Sequence, residues 1–402
     1  MLFKTTDSAQ QYPSAVTEAY KQLILGEGPS KDWLGWMTKP AELQKSKELR
    51  RICAIAEALQ PTSDIVHIGA GGSIVGAECL DRLFTSKFNN GTPTIHYTGN
   101  TLSSLDIADL LAKLSNSYSI ALTVYSKSGK TVEITETTNL IYELLCKKYG
   151  KRVAEQHVFA ITGKSDSVLL DTAKANHWNT ELIIQDNIGG RYGLMQPPVL
   201  LPAAVRGIDI SELISGAAKA QSDFFDNPCN IAMQYASFLV THHGNGKIIP
   251  YFAMNCQRSS DLLTWLLQLW GESISKNRVW GIPNGGLNSG ALHYNGVGQQ
   301  EAISIYGETQ IRILPKTSAA CTRFETLNNI MMDSALEAHR DGGTPCAVFE
   351  LSLTPFEVAY FMQTQLYACA ITGYATGVDP TEQEGVEAYK RIMRDKLKQL
   401  KN

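Results

Sequence analysis

Along the chain, short apolar runs rich in β-branched residues alternate with longer stretches in which apolar and polar positions repeat at helical spacing. The runs "DIVHIGAGG", "TIHYTGN", "SIALTVYSKSG" and "HVFAITG" read as strands, and each is followed by a helical stretch: "SIVGAECLDRLF", "LSSLDIADLLAKL", "TVEITETTNLIYELLCKKYG" and "SDSVLLDTAKAN". This alternation predicts βαβ units and a parallel sheet over residues 60–190, because a crossover between parallel strands needs a helix-length connection. After "GGRYGLMQPPVLLPAAVRGID" the pattern turns mostly helical through "SFLVTHHG", and "KIIPYFAMN", "TQIRILP" and "CAVFELS" supply further strands. The expected architecture is α/β with two doubly wound parallel-sheet domains, over 41–190 and 191–375. A helical extension is expected over 1–40, and a final helix over 376–402, packed on the site.

Composition narrows the classes without choosing among them. The 402 residues suffice for two or three cores, and 44% hydrophobic with 19% charged residues exclude a fibrous or disordered chain. Net charge is -3, and the basic run "YKRIMRDKLKQLKN" has the pattern of a solvated helix face, so no nucleic-acid partner is expected. The start, "MLFKTTDSAQQYPSA", lacks a charged segment followed by an apolar core, and no apolar run reaches the ~18 residues of a membrane crossing. A cytoplasmic location is the expectation. The eight cysteines stand more than twenty residues apart without a Cys-x-x-Cys pair, which suits small core hydrophobes in a reducing compartment. His242 and His243 are adjacent in "THHGNGK", and adjacent residues rarely converge on one ion, so no metal is expected.

Sheets of this kind bind ligands beyond the C-terminal ends of their strands, where helix N-termini present free N–H groups and a partial positive charge. Two loops fall there: "GAGGSIVG" at 69–76 and "YSKSGKTVEIT" at 125–135. Close helix packing or capping would explain either loop alone; two in one sheet point to an anion site. "SGKT" resembles the end of a P-loop, but Val124 stands where its first glycine belongs. Ile74 takes the third place of Gly-x-Gly-x-x-Gly, and "HYTGN" lacks the acidic residue that would take a ribose hydroxyl. With nucleotide and dinucleotide disfavoured, a small phosphate monoester remains. Its holders would be the hydroxyls of Ser126, Ser128 and Thr131 together with backbone N–H groups, with Gly72 and Ser73 in the first loop and Lys127 or Lys130 adding charge.

Five segments in this order resemble the glucose-6-phosphate isomerase family, in its short bacterial and archaeal form built from two sugar-isomerase (SIS) modules. Besides Gly-x-Gly-Gly-Ser-x-x-Gly and Ser-Lys-Ser-Gly-x-Thr, they are "GGRYGLMQPPVLLPAA", "WLLQLWGESISKN" and "DPTEQEGVEAYKR", and together they span residues 69–390. The chain departs from the family pattern at Gly193, where serine is usual, at Lys130 and Val132, where threonine is frequent, and in "ALHYNGVGQQ", a loose version of the histidine segment.

The resemblance implies interconversion of glucose 6-phosphate and fructose 6-phosphate through an enediolate, with no cofactor. One carboxylate and one cation suffice for that chemistry. Glu272 is the candidate base; it ends "SSDLLTWLLQLWGES", in which Leu262, Trp265, Leu266 and Leu269 repeat at helical spacing, so it meets the unfavourable end of the helix dipole. By resemblance, Arg191 stabilises the enediolate, Lys390 and His293 open the sugar ring, and Gln383 supports the substrate. The family also implies a homodimer in which His293 reaches into the partner's site. Two alternatives stay open: an isomerase or synthase acting on mannose 6-phosphate or amino-sugar phosphates, and a non-catalytic phosphosugar sensor, which would keep the hydroxyl loops but need neither Glu272 nor Arg191.

Overall fold

The computed structural model describes residues 1–5, 12–86, 88, 91, 93–295, 305–314, 321–382 and 384–400. In chain order its strands are β1 (Leu2–Thr5), β2 (Asp64–Ile68), β3 (Thr94–Thr98), β4 (Ile120–Ser126), β5 (Val158–Gly163), β6 (Ile183–Ile184), β7 (Ile249–Met254), β8 (Asn284–Leu287), β9 (Tyr306–Leu314) and β10 (Cys346–Ser352). The first sheet runs β3-β2-β4-β5-β6 with every pairing parallel. Its central strands are buried along their whole length because helices cover both faces. Ile65, Ala121 and Tyr125 face one core, while Val66, Ile68, Leu122 and Val124 face the other, under the helices Val132–Tyr149 and Val168–Ala175.

The second sheet runs β1-β10-β9-β7-β8, parallel except at its edge, where β1 pairs antiparallel with β10. This corrects the expectation for residues 1–40, which was helical throughout. The helix Ser14–Leu25 is present, but the first residues are captured as a strand by the unpaired edge of β10. The helix Pro355–Ala375 is buried over most of its length, packed by the helices Ser14–Leu25, Ile210–Asp226, Ile231–Gly244 and Ser260–Ile274 and by β10. Its Tyr367 hydroxyl donates to the Met37 carbonyl at 2.6 Å, and its Gln365 accepts from the Trp270 indole at 3.2 Å. The N-terminal segment and the helix Ser260–Ile274 are thereby locked to one support, and that support aligns the two halves of the site described next.

Candidate active site

Where β4 ends, residues 126–131 lead into the helix Val132–Tyr149. Gly129 has φ +69°, and a Cβ there would lie 2.2 Å from the Leu169 nitrogen, so only glycine makes this turn. The turn brings the Gly129 N–H to Ser126 Oγ at 3.0 Å and the Lys130 N–H to Ser128 Oγ at 3.3 Å. Both hydroxyls act as acceptors there, and each keeps its own proton for a ligand oxygen. Thr131 occupies the cap position without a side-chain cap bond, so the first N–H groups of the helix face outward.

Across from this loop, the turn Gly71–Ser73 follows β2. A Cβ on Gly72 would stand 2.3 Å from the Gly190 carbonyl carbon; the missing side chain lets this turn rest directly on the Gly190–Arg191 backbone. Arg191 is 4% exposed. Its Nε donates to Ser273 Oγ at 2.9 Å, Nη1 to Glu272 Oε2 at 3.1 Å, and Nη2 to the carbonyls of Pro380 and Glu382. Glu272, in the last turn of Ser260–Ile274, is 33% exposed, and its Oε1 accepts from Gln268 Nε2 at 3.3 Å. The Arg191 guanidinium, which the position of Glu272 at a helix end does not reveal, supplies the positive charge that the dipole lacks.

The segment 379–382 that receives Arg191 is itself tied down. Asp379 Oδ1 accepts from the Ser30 hydroxyl at 2.6 Å and from the Thr381 N–H and hydroxyl at 2.8 Å each. Burial alone would raise the Asp379 pKa, but these bonds and Lys276 hold it below the usual carboxylate value. Lys276 donates to the carbonyls of Asp379 and Glu382; burial, with Arg191 nearby, brings its pKa down to about 8.

The hydroxyl loop, Gly72, Arg191, Glu272 and Asp379 border one cleft of about 870 Å³, within the range of small-ligand sites. Of the expected residues, Gly72, Ser73, Ser126, Lys127, Ser128, Lys130, Thr131, Arg191, Glu272 and Lys390 line it. His293 does not: it is exposed on the short helix Gly290–Tyr294, outside this chain's own cleft. Gln383 lies outside the described residues. Lys127 lines the cleft, but its ammonium turns to the Asp186 and Ile188 carbonyls, so the loop's charge for a ligand falls to exposed Lys130. Sequence reasoning missed Trp33 and Asp32 from the N-terminal segment, Gln268, and Arg394, one helical turn beyond Lys390. Lys276 and Asp379 stand inside segments already quoted for their motifs, and Gln268 sits four residues before Glu272, so these signals were available.

Thr131→Ala tests the hydroxyl loop. One hydrogen bond to a charged group is worth about 1.5–3 kcal/mol, so the Michaelis constant for a phosphorylated substrate should rise roughly 10- to 150-fold. An unchanged constant in steady-state assays would take Thr131 out of the phosphate's reach.

Fold and cleft together define a class: a two-sheet α/β protein whose ligand cleft opens at the C-terminal edge of its first sheet, beneath a basic C-terminal helix. Within that class, the chain belongs to the phosphoglucose isomerase family, whose family model matches residues 47–250. The glucose-6-phosphate isomerase of Streptococcus equi subsp. zooepidemicus is 34% identical over 94% of this chain and 90% of its own length, and that of Streptococcus pyogenes serotype M6 matches equally. Among solved structures, a hypothetical protein of Thermus thermophilus superposes with a TM-score of 0.82 at 22% identity, over 98% of this chain and 100% of its own. The glucose-6-phosphate isomerase of Chlamydia trachomatis gives 0.72 at 16% identity, over 99% and 80%. These two likenesses are of fold.

Proposed function

We propose that this protein interconverts glucose 6-phosphate and fructose 6-phosphate, an aldose–ketose isomerisation of glycolysis and gluconeogenesis. The observation that carries the reading is the Glu272–Arg191 pair, 3.1 Å apart, on the same cleft as the hydroxyl loop. With the phosphate held at 126–131, Glu272 takes the carbon-2 proton of the open-chain aldose. The carbon–hydrogen pair becomes the carbon 1–carbon 2 double bond, and charge moves to the carbonyl oxygen, where the Arg191 cation stabilises it. The hydroxyl proton on the carbon-2 oxygen then passes to the carbon-1 oxygen, and returning the abstracted proton to carbon 1 leaves the carbonyl at carbon 2, the ketose. Lys390, on the helix Glu384–Leu400, lines the cleft where the sugar ring must open. A coupled assay with glucose, fructose and mannose 6-phosphates tests the reading: turnover of the first two supports it, and turnover of mannose 6-phosphate alone would replace it.

His293 reaches a cleft, in this reading, only by crossing to a second copy. Its exposure supports that arrangement, as does the apolar surface at Tyr294 and Ile282, 70% and 80% exposed in the single chain. Mixing equal amounts of two inactive variants, Glu272→Gln and His293→Ala, checks it. Half of randomly reassociated dimers are mixed, and each carries one intact site of two, so roughly a quarter of wild-type activity should return. No recovery after verified subunit exchange would count against the shared site. A cytoplasmic location belongs to the same reading; no described helix is long and apolar enough to cross a membrane.

A further inference from the structure

The turn Lys31–Trp33 reaches the cleft from outside both sheets and meets Lys127 there. Lys127 Nζ stands 4.4 Å from the centre of the Trp33 ring and donates to the Asp186 carbonyl and, at 3.4 Å, to the Ile188 carbonyl. The Lys127 carbonyl is held as well, by the Gly163 N–H at 3.1 Å and the Thr162 hydroxyl at 3.3 Å. Lys127 therefore joins the hydroxyl loop to the loop 186–188 through its side chain, while its carbonyl is tied to the end of β5. Trp33's neighbours grip the same loop: Leu34 bridges Ile188 in antiparallel fashion, and the Gly35 N–H donates to the Asn187 carbonyl at 3.2 Å. A Cβ on Gly35 would stand 2.5 Å from the Asn187 side chain, so the missing side chain leaves room for the Asn187 amide. Three residues past Ile188 comes Arg191, whose backbone rests on Gly72.

An ammonium has three protons, and two of Lys127's go to carbonyls while an indole face covers it. Burial lowers the Lys127 pKa from its ordinary value, with Asp186 acting in the opposite direction, as expected for a charge withdrawn from water. Trp33 itself is 42% exposed: it screens the carbonyl contacts and has little packing of its own to lose.

Resting on the isomerase reading, we propose that Lys127 and Trp33 are a positioning pair: they do not bind the phosphate, but hold the loop 186–188, and through it Arg191, at a fixed distance from the loop that does. Phosphate grip and oxyanion stabilisation would then be set by one rigid connection.

The test compares Lys127→Met, Trp33→Leu and Lys130→Met in isomerase kinetics, with inorganic phosphate binding measured by calorimetry. Misplacing a catalytic group by about 1 Å costs on the order of a hundredfold, so Lys127→Met should lower kcat by ~10- to 100-fold and Trp33→Leu by a smaller factor in the same direction. KM and phosphate affinity should stay within about threefold in both, while Lys130→Met should show the reverse split, weaker phosphate binding with kcat largely kept. Loss of phosphate affinity in Lys127→Met with kcat retained would make Lys127 a ligand and overturn the proposal, as would full activity in both Lys127→Met and Trp33→Leu. If Lys127→Met folds poorly, Trp33→Leu decides alone, since its side chain is partly exposed. A wild-type protein that binds phosphate but does not turn over the sugars would refute the isomerase reading instead, and phosphate affinity in Lys127→Met would still decide whether that lysine is a ligand.

Discussion

Glu272→Gln should lower kcat by ~10²–10⁴ while KM changes little, the range expected when a positioned general base is removed. The substitution is close to silent for structure. The glutamine carbonyl can take the place of Oε2 and accept from Arg191 Nη1, and the Gln268 amide can rotate to receive the new NH₂ group where it now donates to Oε1. Arg191 keeps its bonds to Ser273, Pro380 and Glu382, so its buried guanidinium is not stranded. What disappears is the capacity to take a proton. Exchange of the carbon-2 hydrogen with solvent should vanish along with turnover, and this separates the chemical step from ring opening. Exchange persisting at the wild-type rate would place the base elsewhere.

Much of the first sheet was legible because its strands obey local rules. β2, β4 and β5 are largely apolar runs that end in, or lead directly into, glycine or serine and are followed by helical periodicity, so pattern and burial agree. β8 was not legible. Its sequence, "NGGL", has no β-branched residue, and it is a strand only because β7 pairs with it. Its glycines answer a tertiary demand: a Cβ on Gly285 would stand 2.5 Å from the Phe252 carbonyl oxygen, and one on Gly286 2.3 Å from the Ala291 Cβ. β1 failed for a related reason, since four residues carry too little pattern to reveal an edge they complete more than 340 residues away.

The site divides along the same line. Residues 126–131 and Gly72 announce themselves through turn chemistry that is local to their loops. Lys127's orientation does not, because its partners, Trp33 and the carbonyls of Asp186 and Ile188, come from distant segments. Sequence spacing shows which residues neighbour a loop but not which way a long flexible side chain turns. Asp379 is similar: its motif was visible, but its tie to Ser30 across 349 residues was not.

Arg191→Lys carries the second large effect, because it keeps the charge and removes the fork. A guanidinium presents five N–H donors in a fixed plane, and here four of its bonds reach Ser273, Glu272, Pro380 and Glu382. A lysine ammonium has three donors on a flexible stem and cannot span those acceptors. If charge alone stabilised the enediolate, the variant would lose little. If the placement of the cation matters, kcat should fall by ~10²–10³, the cost of removing one preorganised donor from a developing oxyanion. The change also leaves the buried Pro380 carbonyl unpaired, while Lys276 still donates to that of Glu382, for about 1–3 kcal/mol of stability, so a lower Tm is expected alongside. The two effects separate in the kinetics. A purely structural loss that loosens segment 379–382 should raise KM and leave carbon-2 exchange in step with turnover at saturating substrate. Loss of the oxyanion partner should depress kcat and exchange together at unchanged KM, below the melting transition. A kcat within about threefold of wild type, accompanied only by the lower Tm, would leave Arg191 as the tie between the helix Ser260–Ile274 and the segment 379–382, and the cation of the reaction would then be sought at Lys390.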